Sequence, residues 1–139
     1  MVKITLINGS PRKNRSSNFL IDQAIEGIKT VSGDIEINKI QISDYSITPC
    51  NGCDACLRPP NECPLSEQDD MRKLEDQLLD TSGLIIAAPN YFGSVCAQIK
   101  VLFDRSRPWK MKGYVLRDVI FGPMAASGLR NSGYRRFRE

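Results

Sequence analysis

The chain has 139 residues, which is long enough for one hydrophobic core and too short for two domains. With 41% hydrophobic and 25% charged residues it has the composition of a soluble globular protein, and no apolar run approaches the roughly 20 residues that span a bilayer. The net charge is only +3, but Arg105, Arg107, Lys110 and Lys112 help to make the last third basic. We expect a solvated basic surface that attracts phosphate or an acidic partner, with neither membrane nor nucleic acid as a ligand.

The first nine residues predict a strand rather than a secretion signal, because they contain one lysine and only a short apolar stretch. A cytoplasmic protein is therefore expected. The chain also contains five cysteines. Since the cytosol keeps thiols reduced, these cysteines are not expected to form disulfides.

Apolar runs alternate with stretches of helical periodicity, which predicts an α/β domain with a parallel sheet. In chain order we predict a strand at 3–8, a helix from Ser16 or Ser17, a strand at 35–42, a long loop at 43–67, a helix from Asp69, a central strand at 84–88, a helix at 97–105 and a fourth strand at 115–121. A loop as long as 43–67 inside a compact domain is usually functional.

A polar segment, residues 9–18, directly follows the first strand. Ligands of open α/β sheets bind at the carboxyl ends of the strands, where a helix N-terminus offers free N–H groups to an anion. The segment lacks both the Gly-x-Gly-x-x-Gly and the Walker patterns, so it suits a single terminal phosphate. The candidate phosphate-binding residues are Ser10, Arg12, Ser16, Ser17 and Asn18.

Four cysteines lie close together in the pattern C-x2-C-x2-C-x6-C-P, within a segment at 47–66 that we call the cysteine loop. This spacing favours a [4Fe–4S] cluster. Structural zinc sites more often consist of two separated pairs, and the chain has no histidine. Zinc and free thiols remain as less favoured alternatives. The candidate metal ligands are Cys50, Cys53, Cys56 and Cys63, whereas Cys96 is expected to be a small buried side chain.

Two further turns follow predicted strands and are expected at the same edge of the sheet as the phosphate segment. Aromatic rings and backbone polar groups in such turns can enclose a planar ring and bind its polar edge. The candidates after the central strand are Pro89, Asn90, Tyr91, Phe92 and Gly93, and those after the fourth strand are Ser127, Gly128 and Arg130.

Together these motifs make the chain resemble the iron–sulfur flavoproteins of anaerobic prokaryotes, within the wider NADPH-dependent FMN reductase-like group. The resemblance runs from Lys3 to about Gly133. It rests on Gly9-Ser10-Pro11-Arg12-Lys13, on Pro49 through Cys63 followed by Asp69-Asp70-Met71, on Ala88-Pro89-x-Tyr91 through Gln98-x-Lys100-x-x-Phe103-Asp104-Arg105, and on Gly128-x-Arg130-Asn131-x-Gly133.

The resemblance implies a single flavodoxin-like FMN-binding domain over 1–139, with a doubly wound parallel sheet and the cysteine loop as an insertion. The fold's strand order is 2-1-3-4-5. This chain would have order 2-1-3-4 and lack the fifth strand and the final helix. FMN would place its phosphate on the polar segment and its ring against the two turns, and the four clustered cysteines would ligate one [4Fe–4S] cluster.

The function implied is that of an FMN-dependent oxidoreductase, in which a cluster fed by ferredoxin exchanges electrons with FMN in a homodimer or tetramer. One alternative is an NAD(P)H-dependent FMN reductase or quinone-type oxidoreductase whose cysteines hold zinc or no metal. Another is a non-catalytic, zinc-stapled module that holds nucleic acid with its basic tail. No constellation of general base and nucleophile is visible in the sequence, so proton transfer would fall to the cofactor and solvent.

Overall fold

A mainly parallel sheet forms the centre of the computed structural model, which describes residues 1–31 and 33–128. The strands are β1 (Val2–Asn8), β2 (Ile35–Gln41), β3 (Gly83–Tyr91), β4 (Ser94–Val95) and β5 (Ile120–Ala126). The parallel strands lie in the order β2-β1-β3-β5, and the short β4 pairs antiparallel with the end of β3. Since β5 is the fourth parallel strand along the chain, this arrangement confirms the predicted flavodoxin-like order 2-1-3-4. The short antiparallel β4 is an additional fifth strand.

Helices cover both faces of this sheet, as in a doubly wound fold. They are α1 (Ser16–Val31), α2 (Met71–Leu78), α3 (Ala97–Arg105) and α4 (Arg107–Met111). Helix α1 packs on one face, while α2, α3 and α4 contribute to the larger hydrophobic cluster on the other. In the described part of the chain, none of the helices has both the length and the apolar character needed to cross a membrane.

The central strands bury side chains on both faces, which explains their nearly continuous apolar sequences. Side chains alternate along a strand, so Leu6 joins the cluster under α1 whereas Ile7 joins the cluster under α2–α4. Ala87 and Ile86 of β3 divide in the same way. Because β1 and β3 are parallel neighbours, their carboxyl ends lie side by side at the same edge of the sheet.

The fourth predicted strand was placed too early in the chain: the structure begins it at Ile120 rather than at Val115. Val115, Leu116 and Val119 instead lie in a turn that packs against the larger cluster. Gly122-Pro123, predicted to end the strand, lies within it, and Pro123 pairs with Ile86 of β3. Among the described residues β5 pairs only with β3, and a proline is tolerated in such an edge strand.

Candidate functional site

The polar segment after β1 is packed tightly against the neighbouring strand. Gly9 donates its N–H to the carbonyl of Ala87 at 2.7 Å. A Cβ added at residue 9 would lie 2.5 Å from Cγ1 of Ile99 in α3, which is closer than real Cβ atoms approach. Glycine is therefore required here, because any side chain would push the segment away from β3 and α3.

Side-chain hydrogen bonds fix the next residues of the segment. The N–H of Ser10 donates to Oδ1 of Asn8 at 3.1 Å, and the N–H of Arg12 donates to Oγ of Ser10 at 3.1 Å. Gln41 at the end of β2 donates to the carbonyl of Ser10 at 2.8 Å. The loop between β1 and α1 is thus held at the sheet edge by contacts within the protein.

A cavity of about 790 Å³ opens at this edge, which we call the strand-end cavity. It lies between the polar segment, the last residues of β3 (89–91) and residues 125–128 at the end of β5, so it joins all three regions predicted to meet there. Residues 89–91, predicted as a turn, are instead the end of β3, because the strand continues into the short hairpin with β4. Its volume falls in the usual range for sites that hold cofactors and small molecules. The predicted site residues that line it are Ser10, Arg12, Ser16, Ser17, Pro89, Asn90, Tyr91, Ser127 and Gly128.

The remaining predicted cofactor residues lie elsewhere. The side chain of Asn18 donates to Asp22 at 2.7 Å, and Asn18 lines a neighbouring cavity. Phe92 is fully exposed at the tip of the β3–β4 hairpin, beside Gly93. Both tip residues have positive φ, 50° and 76°, as in a two-residue hairpin turn of the primed type. Arg130 lies outside the described residues.

Five lining residues were not identified from the sequence: Arg15, Phe19, Leu20, Ala125 and Ala126. Arg15 belongs to the polar segment itself, whereas Phe19 and Leu20 lie on the first turns of α1, and helical spacing from Ser16 would have indicated Leu20. The two alanines were missed because the fourth strand was predicted too early in the chain. Their position at the carboxyl end of β5 depends on its register with β3.

The mouth of the strand-end cavity is electropositive. Arg12 and Arg15 are exposed, and neither guanidinium forms an ion pair with any other described residue. The first turn of α1 contains no acidic side chain, so the partial positive charge of the helix N-terminus is not neutralised there. This combination suits a phosphate group.

The cysteine loop has little regular structure. It contains the single turns Ala55–Leu57 and Pro64–Glu67. Cys50 and Cys53 are exposed, whereas Cys56 and Cys63 are half-buried. None of these four cysteines forms a disulfide. Within residues 1–31 and 33–128, no group of three or more cysteine, aspartate or glutamate side chains is arranged to hold a metal ion.

The chemistry of the donors nevertheless suits an iron–sulfur cluster. Four thiols in one loop are the usual ligands of a [4Fe–4S] cubane, in which each thiolate binds its own iron. Zinc instead requires all of its sulfur ligands about 2.3 Å from a single ion. Gly52 directs its N–H to Sγ of Cys50 at 3.4 Å, the kind of contact that stabilises a thiolate ligand.

Arg105 of α3 anchors both ends of the cysteine loop. It was predicted as part of a basic surface, but its exposure is only 1%. Its guanidinium donates to the carbonyl of Thr48 at 2.6 Å, to Asp69 at 2.5 Å and to Oγ of Ser66 at 3.1 Å. The sequence did not predict Arg105 as an anchor of the cysteine loop, because the charge of a residue does not by itself indicate whether it is buried.

Asp69 completes this anchor. Its carboxylate accepts hydrogen bonds from the N–H groups of Thr48 and Met71, both at 3.0 Å. Burial acts to raise the pKa of Asp69, but the hydrogen bond from Arg105 and the two backbone N–H groups outweigh it, so the pKa lies below its ordinary value of 3.8. Asp69 is therefore a buried carboxylate ion at neutral pH.

Helix α4 adds cations along the same loop. Arg107 donates to Asp54, between Cys53 and Cys56, at 2.7 Å. This hydrogen bond, together with the nearby charges of Asp54, Cys56 and Cys50, raises the pKa of Arg107. Lys112 reaches Glu62 at 3.5 Å. The cysteine loop is thus bordered by ion pairs between cations of α3 and α4 and acidic side chains within or just after the loop.

Residues 2–136 match the family model described as NADPH-dependent FMN reductase. The chain belongs to this family. Solved structures of FMN reductase type share its fold. An apo NADH:FMN oxidoreductase (EMOB) has a TM-score of 0.67 at 24% identity, over 94% of this chain and 60% of that one. An FMN-dependent NADH-azoreductase from Bacillus anthracis, in complex with FMN, has a TM-score of 0.67 at 14% identity, over 98% and 74%.

This FMN reductase family member is also similar to curated proteins named iron-sulfur flavoprotein, as its motifs predicted. The one from Archaeoglobus fulgidus is 41% identical over 132 residues, which are 95% of this chain and 62% of that protein. The one from Methanosarcina thermophila is 36% identical over 132 residues, which are 95% and 66%. The chain thus spans between 62% and 66% of the length of these two relatives.

Proposed function

We propose that this chain is an FMN-dependent oxidoreductase in which electrons pass between FMN and a [4Fe–4S] cluster. The observation that carries the proposal is the strand-end cavity, where three strand-end segments enclose about 790 Å³ beside an electropositive helix N-terminus. FMN would supply one- and two-electron chemistry and the cluster one-electron chemistry, so the pair can connect carriers of both kinds.

In this proposal the polar segment holds the FMN phosphate. Ser10, Ser16 and Ser17 would donate hydroxyl or backbone hydrogen bonds, and Arg12 would add a charge-assisted contact. Asn18, predicted from the sequence, would contribute at most through its backbone N–H, because its side chain is directed to Asp22. The segments 89–91 and 127–128 would border the ring, since they line the same cavity as the polar segment.

Cys50, Cys53, Cys56 and Cys63 would ligate the cluster. Three observations support this assignment: their compact spacing, the absence of disulfides among them, and the names of the similar curated proteins. The buried cation Arg105 of α3 would stabilise an anionic centre in the loop. We also propose a cytoplasmic location, where thiols stay reduced and available to ligate a cluster.

The resemblance further supports a ferredoxin as electron donor and a homodimer or tetramer as the assembly. Stopped-flow mixing with reduced ferredoxin or with NADPH tests the donor. Faster flavin reduction by ferredoxin supports the proposal, and reduction by NADPH alone supports the alternative FMN reductase. Light scattering after size exclusion determines the assembly state.

Anaerobic reconstitution with FMN, ferrous iron and sulfide tests the cofactors. We expect flavin absorption bands on a broad brown background, about four irons and four sulfides for each chain, as a cubane requires, and an electron-spin-resonance signal after reduction. Flavin bands without iron would contradict the cluster. Protein that retains neither cofactor would contradict the whole proposal.

A further inference from the structure

Arg105 carries a hydrogen-bond donor that the anchor of the cysteine loop does not use. Arg105 is the largest of the fully buried side chains among the described residues. Its two terminal nitrogens donate hydrogen bonds to Thr48, Ser66 and Asp69. Its Nε is also buried but has no hydrogen-bond partner among the described residues. A buried donor left without an acceptor destabilises the folded protein, so an additional acceptor is expected on that side.

Cys63 offers a sulfur acceptor in the same region of the fold. It lines the same narrow cleft as Arg105, between the cysteine loop and α3–α4. Burial acts to lower the pKa of Arg105, yet the hydrogen bond to Asp69 and the adjacent Cys63 outweigh burial and raise it. The guanidinium thus contacts the carboxylate of Asp69 and shares its cleft with Cys63.

We propose that Arg105 is a positioning residue that presents Nε–H to the sulfur of Cys63 and thereby raises the reduction potential of the cluster. This inference rests on the proposed function. A cubane with four thiolates is an anion, and reduction adds one further negative charge. Hydrogen bonds and positive charge at a ligand sulfur stabilise the reduced form more than the oxidised form.

Arg107 provides the matched comparison. It lies two residues further along the chain and also faces the cysteine loop, but its side chain is 41% exposed and its partner Asp54 is exposed as well. Water and salt screen such a pair. The buried Arg105 should therefore affect the potential more than Arg107 does.

The test is a potentiometric titration of the reconstituted protein, followed by electron-spin resonance, with conservative variants. Arg105→Lys keeps the charge but removes Nε–H, and we expect it to shift the reduction equilibrium about tenfold toward the oxidised form, or about 59 mV for a one-electron couple. Asp69→Asn removes the negative charge across the guanidinium, and we expect a higher potential. Arg107→Lys should leave the potential close to that of the parent protein.

A lower potential in Arg105→Lys together with a higher potential in Asp69→Asn would show that the guanidinium tunes the cluster. A loop that is merely loosened would shift both potentials in the same direction. An unchanged potential in Arg105→Lys, or equal signs, would overturn the inference while leaving the proposed function intact. If Arg105→Lys does not fold, the sign for Asp69→Asn decides alone. If the parent protein binds no iron, both the inference and the proposed cluster are overturned.

Discussion

The strand-end cavity and the cysteine loop are held in place by different kinds of interaction. The cavity is built from segments that leave three adjacent parallel strands, and backbone contacts such as Gly9 to Ala87 hold it tightly. The cysteine loop has only short turns, and a buried ion pair between Arg105 and Asp69 anchors its ends. A nucleotide site can thus be formed by sheet topology alone, whereas a metal site in a loop gains part of its order from the metal.

Among the variants that test this comparison of the strand-end cavity with the cysteine loop, Cys56→Ser is expected to have the largest effect. Removing one of four thiolate ligands should weaken iron binding by more than loss of an outer-shell partner does, which is about 10- to 100-fold in metal affinity, while FMN binding stays the same. Iron content and flavin fluorescence quenching measure the two effects separately. Cys96→Ala is the control for iron, because the buried Cys96 thiol donates to the carbonyl of Gly9 in the polar segment rather than lying in the cysteine loop, and iron retention is expected. Loss of FMN in Cys56→Ser would show that the two sites depend on each other.

Arg12→Gln should act on the cavity alone. A charge-assisted hydrogen bond contributes about 1.5–3 kcal/mol, so the Kd for FMN should rise about 10- to 100-fold. Riboflavin, which lacks the phosphate, should bind the variant and the parent protein equally. Arg58→Gln in the cysteine loop serves as the matched charge change, with FMN affinity unaltered. Equal weakening of FMN and riboflavin would argue against a phosphate contact.

Gly9→Ala tests the tight packing of the segment. The new Cβ would overlap Ile99, and such overpacking typically costs about 1–3 kcal/mol. Gly27→Ala is the control because nothing lies within 4 Å of a Cβ there, so this helical position should be stabilised by about 0.5–1 kcal/mol. Urea unfolding compares the two variants. Equal free energies of unfolding for Gly9→Ala and the parent would contradict the packing argument.

The smallest effect is expected from pH. The pKa of Asp69 lies below its ordinary value of 3.8 in the folded protein, so its contribution to stability is fully present above that value. As the pH falls below 3.8 and through the lower folded pKa, protonation should weaken the anchor, and the free energy of unfolding should decrease. Asp69→Asn should show a flatter decrease over this range in acid unfolding curves. An unchanged slope would indicate that other carboxylates dominate.

Much of the architecture follows from local sequence patterns. The apolar runs at β1 and β3, the helical periodicity of α1 and α3, and the polar segment between β1 and α1 are each visible within a dozen residues. The compact cysteine pattern is equally local. These signals therefore sufficed for the class of fold, whereas the strand order came from the resemblance to the iron–sulfur flavoproteins. They also indicated the sheet edge at which the strand-end cavity opens.

Tertiary structure alone decided the position of β5 and the role of Arg105. The segments 115–119 and 120–126 are both rich in apolar residues, and only pairing with β3 selects the second as the strand. Arg105 resembles its exposed neighbours in sequence, yet partners up to 57 positions away along the chain make its burial possible. Local propensity reports what a segment prefers, but strand register and the burial of a charge depend on distant groups that the fold brings together.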